Sequence, residues 1–182
     1  MKQPKELLDP LDQFYLASGE PLPVAAEIDG ESMPEPYRSL LVHNDDMTPT
    51  LEASYGQRIH LRLLNRKVED DVMLRQVVLV SDRDEQPVEF GAIRIQLKFL
   101  PLEARQFVLE GRLPLGRVLQ DFRIRHDSRP AAYFQVRADA LIGEALQTAG
   151  LQLLYGRRNR LLLTSGEVLA EVVEILPLSK GI

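Results

Sequence analysis

Polar and apolar residues alternate with a period of two along much of this chain, which is the pattern of half-buried β-strands. In the stretch RIHLRLL, Ile59, Leu61 and Leu63 alternate with His60 and Arg62. Further strands are predicted at residues 72–81, 88–99, 122–126, 132–137, 151–163 and 167–176, with the loop HDSRPA between 122–126 and 132–137. The polar turns SDRDEQP and TSGE each lie between two strands, so the pattern favours antiparallel hairpins.

Apolar positions three or four residues apart predict the helices. The first covers residues 4–18, is open to a break at Pro10, and is stopped by Gly19 and Pro21. Other helices are predicted at residues 48–55, 102–110 and 138–150, and residues 113–122 should form a loop leading into a short helix or turn. About six strands and three or four helices joined by short turns indicate an α+β fold with an antiparallel sheet.

Length and composition narrow the class of protein. A chain of 182 residues fits one domain, and its proline-punctuated residues 1–38 are predicted to form an N-terminal arm or helix packed on a domain of residues 39–182. The absence of cysteine excludes disulfides and thiolate metal sites. A formal net charge of −5 gives no global basic field for nucleic acid. We therefore expect a cytoplasmic monomer with neither nucleic-acid nor membrane partners.

Arg75 is the most informative single residue because neither face of its predicted strand is clearly exposed to solvent. The apolar neighbours are Met73, Val77 and Leu79 on its own face, and Leu74, Val78 and Val80 on the other. A buried guanidinium is costly unless it is paired, and its planar fork matches a carboxylate. Arg75 is therefore a candidate anion-binding residue. The alternatives are a structural ion pair within the chain and a head group that reaches past the sheet edge.

Two glutamates occupy the last predicted strand among valines and leucines. Alternation places Glu171 and Glu174 on opposite faces of this strand, so one of them is expected at an interior site. There it would pair with a cation or have a raised pKa. A solvated edge strand is the alternative.

The run GRRNR adds an arginine cluster to the preceding strand. Arg158 and Arg160 should share one face, with Arg157 on the other. Such a cluster can bind carboxylate or phosphate, or it can be a charged strand end that discourages edge pairing. The three histidines show no metal-ligand spacing, and no glycine-rich nucleotide motif occurs, so we expect neither a metal nor a cofactor.

Five motifs together resemble the chorismate pyruvate-lyase family, in the family's order and with similar spacing over residues 40–177. They are NDDMTPTLE, VMLRQVVL, LPLGRVL, LLYGRRNRLLL and a final strand ending in EILP. The resemblance implies a six-stranded antiparallel sheet with helices enclosing an internal ligand cavity. It also implies cleavage of chorismate to pyruvate and 4-hydroxybenzoate without a cofactor, a reaction that can feed ubiquinone biosynthesis.

The resemblance also implies roles for particular residues. Arg75 would be the catalytic residue that grips the ring carboxylate. Met47 would line the pocket from the first helical flap, and the backbone of Leu115 and Gly116 would approach the ligand. Arg158 or Arg160 would receive the enolpyruvyl carboxylate.

The second catalytic residue depends on how the last hairpin is aligned. Counting from the glycine of TSGE reaches Val173, whereas counting across the hairpin from GRRNR reaches Glu174, which we prefer because hairpin pairing fixes geometry. Glu171 is the alternative. The sequence also departs from the family at Ala92, where an arginine is expected, and Arg94 on the same face could substitute for it.

The expected function is therefore a chorismate pyruvate-lyase whose partners are chorismate and its aromatic acid product. Two alternatives remain open. One is a non-catalytic domain that binds a small aromatic carboxylate, because the same fold resembles effector-binding domains of some bacterial transcription regulators. Those regulators normally carry a winged helix-turn-helix, for which the first forty residues are too few. The other is a related chorismate-using enzyme that forms a different hydroxybenzoate.

Overall fold

Seven strands form one antiparallel sheet in the computed structural model, which describes residues 2–177. Their order across the sheet is β1-β5-β6-β7-β4-β3-β2. The strands are β1 (Ala25–Ile28), β2 (Ile59–Glu69), β3 (Val72–Ser81), β4 (Pro87–Gln96), β5 (His126–Arg137), β6 (Leu153–Leu163) and β7 (Val168–Leu176). The α+β class and the antiparallel sheet predicted from the sequence are confirmed.

Seven short α-helices cover the sheet within residues 2–177. They are α1 (Pro4–Leu8), α2 (Asp12–Ser18), α3 (Tyr37–Leu41), α4 (Met47–Tyr55), α5 (Leu102–Glu110), α6 (Leu115–Asp121) and α7 (Ala140–Leu146). Gly56 and Gly111 end α4 and α5 in the left-handed conformation, as their sequence positions predict. Among the described residues, no helix is long and apolar enough to cross a membrane.

The strand count corrects the expectation of six strands. The segment AAEI forms the short strand β1 beside β5, and four residues among prolines carry too little periodicity to be recognised. The two strands expected around HDSRPA are one continuous strand, β5. Pro130 lies within it at a shift of register against β6, where a residue without a backbone N–H is tolerated.

The first helix is divided, as the sequence allowed, with α1 and α2 separated at Asp9–Pro10. Leu7, Leu8, Leu11 and Tyr15 of this segment are at most 1% exposed and pack in the core on one face of the sheet. The division of the chain into an arm of residues 1–38 and a domain of residues 39–182 stays a prediction.

The opposite face of the sheet is covered by α3, α4, α5 and α6, whose apolar residues pack against Met73, Val77, Leu79 and Ile93 of β3 and β4. Because helices lie on both faces, the central strands are apolar on both sides. This arrangement explains why neither face of the strand around Arg75 reads as solvent-exposed in the sequence.

Two glycines allow close approach of the backbone beside Glu174 of β7. A Cβ atom on Gly91 of β4 would lie 1.9 Å from the carbonyl oxygen of Val173. A Cβ atom on Gly156 of β6 would lie 2.5 Å from the carbonyl oxygen of Glu174 and 2.6 Å from the ring of Phe134. Any side chain at either glycine would force β7 away from its neighbours at this point.

Candidate functional site

A pocket of about 60 Å³ lies between the sheet and the start of helices α4 and α6. Its walls come from β3, β4, β6 and β7 and from the two helices, and its polar members include Asp46, Arg75, Glu89, Asn159 and Glu174. Ligand pockets usually measure ~300–1,000 Å³, so this pocket is several-fold smaller than a typical ligand site. The enclosed ligand cavity implied by the resemblance is therefore not confirmed.

Arg75 reaches this pocket from β3 and is 1% exposed. Its Nη1 donates a hydrogen bond of 3.3 Å to the carbonyl oxygen of Leu113, and its Nε has no partner. Among residues 2–177, none of the ion pairs includes Arg75. Burial lowers the pKa of Arg75 to about 10, so the guanidinium remains charged at neutral pH. The pocket thus contains a buried cation without a counter-charge, which is a costly arrangement in an empty protein.

Glu89 of β4 is a second buried charged residue in the pocket, and the sequence analysis missed it. It is 5% exposed, and its Oε2 has no hydrogen-bond partner. Burial raises the pKa of Glu89 well above its ordinary value, and the negative charge of Glu174 adds to this effect, while Arg157 opposes it. The signal was available, because Glu89 lies in phase with Gly91 and Ile93 on a strand that is apolar on both faces.

Glu174 also lines the pocket, but it has a partner of opposite charge. Nε of the fully buried Arg157 donates a hydrogen bond to Oε2 of Glu174. The other guanidinium nitrogens of Arg157 donate to the carbonyl oxygens of Leu41, His43 and Asp45 at 3.1–3.2 Å. The pair therefore fastens β6 and β7 to the chain that leads into α4. Sequence reasoning missed this pairing because it depends on the register of β6 against β7.

Three further predicted site residues meet above Arg75. Met47 begins α4 and Leu115 begins α6, and both are buried and line the pocket. Gly116 faces α4 closely, since a Cβ atom there would lie 3.4 Å from Oγ1 of Thr48. The structure thus brings Met47, Leu115 and Gly116 together with Arg75 and Glu174, and their role in binding stays a prediction.

One ion pair joins α4 to α6, and a second joins the start of β5 to the residue that precedes α4. Nη2 of Arg117 in α6 lies 3.2 Å from Oε1 of Glu52 in α4. Nε2 of His126, at the start of β5, lies 2.8 Å from Oδ2 of Asp46, which precedes α4. The hydrogen bond to Asp46 raises the pKa of His126, an effect that burial only partly offsets. The cover over the pocket is therefore attached by polar contacts as well as by packing.

The remaining predicted site residues lie elsewhere. Arg94, Arg158, Glu171 and Asp9 form an ion-pair ring on the opposite face of the sheet, against the junction of α1 and α2. Glu171 accepts from Arg94 at 2.7 Å and from Arg158 at 2.9 Å, and Asp9 accepts from Arg94 at 2.6 Å. Arg160 is exposed. Alternation along β6 and β7 places Arg158, Arg160 and Glu171 on the face opposite to that of Arg157 and Glu174.

The charges in the ion-pair ring compensate one another. Burial raises the pKa of Asp9, but hydrogen bonds and the positive charges of Arg94 and Arg158 outweigh it, so that the net pKa lies below its ordinary value. The hydrogen bond from Arg94 to Asp9 is the main reason why the pKa of Arg94 is raised. Among residues 2–177, no cluster of three or more histidine, aspartate and glutamate side chains is placed to hold a metal ion.

Comparisons with known proteins give matches in structure alone. No family model and no curated protein matches the sequence. PhnF from Mycobacterium smegmatis has a similar structure, with a TM-score of 0.58 and 10% identity over 76% of this chain and 66% of PhnF. The effector domain of PhnF gives a TM-score of 0.55 and 11% identity over 74% of this chain and 90% of that domain.

A further similar structure is that of YydK from Bacillus subtilis, described as a possible transcriptional regulator. Its TM-score is 0.53, with 8% identity over 68% of this chain and 59% of YydK. This chain therefore spans less than two thirds of either full-length protein, but most of the isolated effector domain. At such low identity the likeness establishes the fold alone.

These neighbours correct the functional expectation. The structures that share the fold include an effector domain and a protein described as a possible transcriptional regulator, and no lyase is among these neighbours. Assignment to the chorismate pyruvate-lyase family was therefore wrong, as were the predicted chorismate-cleaving activity and its place in ubiquinone biosynthesis. The prediction of a monomer without a nucleic-acid partner was wrong for the same reason. The pocket itself contains one unpaired guanidinium and two buried carboxyl groups.

Proposed function

We propose that this chain is a non-catalytic effector-binding domain of a transcription regulator, and that it binds a small ligand through one anionic group. The observation that carries the proposal is Arg75, a buried guanidinium that lines a pocket and lacks an acidic partner. Proteins retain such a group at a stability cost where function requires it. A carboxylate or phosphate on the ligand would supply the missing counter-charge and accept from Nε.

The rest of the pocket indicates a ligand with an apolar middle. Met47, Val77, Leu79, Ile93 and Leu115 line the space between the polar groups. A flat ring with an acidic substituent fits such walls, but a volume of about 60 Å³ cannot hold one. Binding would therefore displace α4 and α6 outward, and this movement is how ligand occupancy could be passed to another domain.

The same proposal implies partners. The likeness to YydK, described as a possible transcriptional regulator, supports action on DNA through a separate DNA-binding domain, in the same polypeptide or in a partner. The formal net charge of −5 favours DNA binding by a separate domain, because an acidic domain is poorly suited to contact DNA phosphates itself.

The test is a calorimetric titration of the purified protein with acetate, phosphate, benzoate and 4-hydroxybenzoate. At least one of these anions should bind saturably, and Arg75→Met should weaken that binding about 30-fold or more, as expected when a buried charged contact is lost. Arg129→Met is the matched control, since Arg129 forms an exposed ion pair with Asp127 and does not line the pocket. Failure of all four anions to bind, or equal affinity in Arg75→Met, would contradict the proposal. Chorismate incubated with the protein should be recovered intact.

A further inference from the structure

The pocket contains a second unsatisfied group, and we propose that Glu89 selects ligands that carry a hydrogen-bond donor opposite their anionic group. The ligand class would then be hydroxy- or amino-substituted aromatic carboxylates, held at one end by Arg75 and at the other by Glu89. This inference rests on the proposed function and makes it more specific, because it names the second group that an effector must have.

Nε of Arg75 and Oε2 of Glu89 are both buried without a partner, and both residues line the same pocket. Buried polar groups in folded proteins are hydrogen-bonded in the great majority of cases, and each exception costs free energy. A carboxyl group keeps an acceptor oxygen whether or not it is protonated. Arg75 and Glu89 are therefore complementary to a single ligand that supplies an acceptor at one end and a donor at the other.

The spacing of the two residues sets the ligand's length. Arg75 on β3 pairs with Ile93 on β4, and Glu89 lies four residues before Ile93 on the same strand. At ~3.3 Å per residue the two Cα atoms are separated by about 13 Å along the strands. Two long side chains that point into one pocket from this distance can hold opposite ends of a substituted ring. A two-carbon acid such as acetate would reach only one of them.

Glu174 also lines the pocket, but its charge is already compensated by Arg157, unlike that of Glu89. Its Oε2 already accepts from Arg157, whose other nitrogens are bound to three backbone carbonyls. Glu174 is therefore part of a buried ion pair whose geometry is fixed. Glu89 lacks any ion-pair partner among the described residues, and its free oxygen is available to a ligand.

The experiment compares benzoate, 4-hydroxybenzoate and 4-aminobenzoate, which share the ring and the carboxylate and differ in the donor. The wild-type protein should bind the two donor-bearing acids about tenfold more tightly than benzoate, a difference typical of one hydrogen bond to an otherwise unsatisfied buried group. Glu89→Met should abolish this preference while benzoate still binds. Glu89→Gln retains an acceptor oxygen and should restore part of the preference. Circular dichroism would verify that both variants are folded.

The outcomes separate the two proposals. Equal binding of all three acids by the wild type, with binding still lost in Arg75→Met, would overturn the role of Glu89 and leave the effector-binding function standing. An unchanged preference in Glu89→Met would overturn it as well. Absence of binding by all three acids and by the smaller anions would overturn both proposals together.

Discussion

Arg94 and Arg75 lie on opposite faces of the sheet, and their guanidinium groups are held in opposite ways. On one face, Arg94 is held by two carboxylates, Asp9 and Glu171, at 2.6 and 2.7 Å. On the other face, Arg75 of the adjacent strand has a single hydrogen bond to a backbone carbonyl and no acidic partner. The same residue type thus fastens the N-terminal segment to the sheet on one side and leaves a charge available to a ligand on the other. Arg94 therefore stabilises the fold through its ion pairs, whereas burial of the unpaired Arg75 lowers the stability of the ligand-free protein.

The largest effect is expected where a charge on the pocket face is already paired. Arg157→Met would leave Glu174 buried without its partner and should lower the free energy of unfolding by about 3–5 kcal/mol, the usual cost of breaking a buried pair. Urea denaturation measures the change. Arg129→Met, at an exposed ion pair, should change it by less than about 1 kcal/mol. Similar losses of unfolding free energy in both variants would show that the buried Arg157–Glu174 pair stabilises the fold no more than an exposed ion pair does.

The ion-pair ring should give the next largest effect. Glu171→Gln removes the charge that Arg94 and Arg158 share and should lower the free energy of unfolding by about 1–3 kcal/mol, because these hydrogen bonds to charged groups are mostly shielded from water. It should leave anion binding unchanged, since Glu171 lies on the face away from the pocket. A loss of ligand affinity as large as that of Arg75→Met would contradict the division between the two faces.

Acid should weaken the ion-pair ring through Asp9. Because the pKa of Asp9 is lower in the folded protein, its contribution to stability is present above the unfolded pKa of about 3.9 and is lost as the pH falls through the folded value. The difference in unfolding free energy between the wild type and Asp9→Asn should therefore shrink between pH 6 and pH 3. Asp127→Asn, at an exposed site, provides the control. A difference that stays constant over this range would exclude a charged Asp9 as its cause.

The smallest effect concerns the cover of the pocket. The pKa of His126 is raised chiefly by its hydrogen bond to Asp46, so its contribution is fully present below the unfolded pKa of about 6.5 and is lost as the pH rises through the folded value. The difference in unfolding free energy between the wild type and His126→Gln should be below about 1 kcal/mol and should decrease from pH 6 to pH 8. An increase of this difference from pH 6 to pH 8 would contradict a pKa of His126 that is raised in the folded protein.

Local sequence patterns predicted most of the elements and the burial of Arg75. The hairpin of β6 and β7 and helix α4 follow from alternation, capping and turn residues that lie close together in the chain. The strand β1 was missed because its four residues gain their structure from pairing with β5, more than one hundred residues away. Contacts of this kind leave no periodic signal in the sequence.

The site was harder to predict than the fold, because it depends largely on contacts between residues that are far apart in the chain. Arg75 could be singled out because its own strand shows apolar residues on both faces. The partner of Glu174 and the place of Glu171 depend on the register between strands, and Asp9 meets Arg94 across 85 positions of the chain. Motifs resembling an enzyme family were compatible with the right fold, but they did not determine the chemistry, which depends on which charges in the pocket remain unpaired.

The most direct test of this account is to compare Arg75→Met with Arg94→Met by urea denaturation at neutral pH. Methionine keeps most of the apolar volume of each side chain and removes the charge. If Arg75 is held for a ligand, its replacement should leave the ligand-free protein as stable as the wild type or about 1–2 kcal/mol more stable, because an uncompensated buried charge is removed. Arg94→Met should lose about 1–3 kcal/mol. A loss in Arg75→Met equal to that in Arg94→Met would show that Arg75 is a structural residue and would contradict the account.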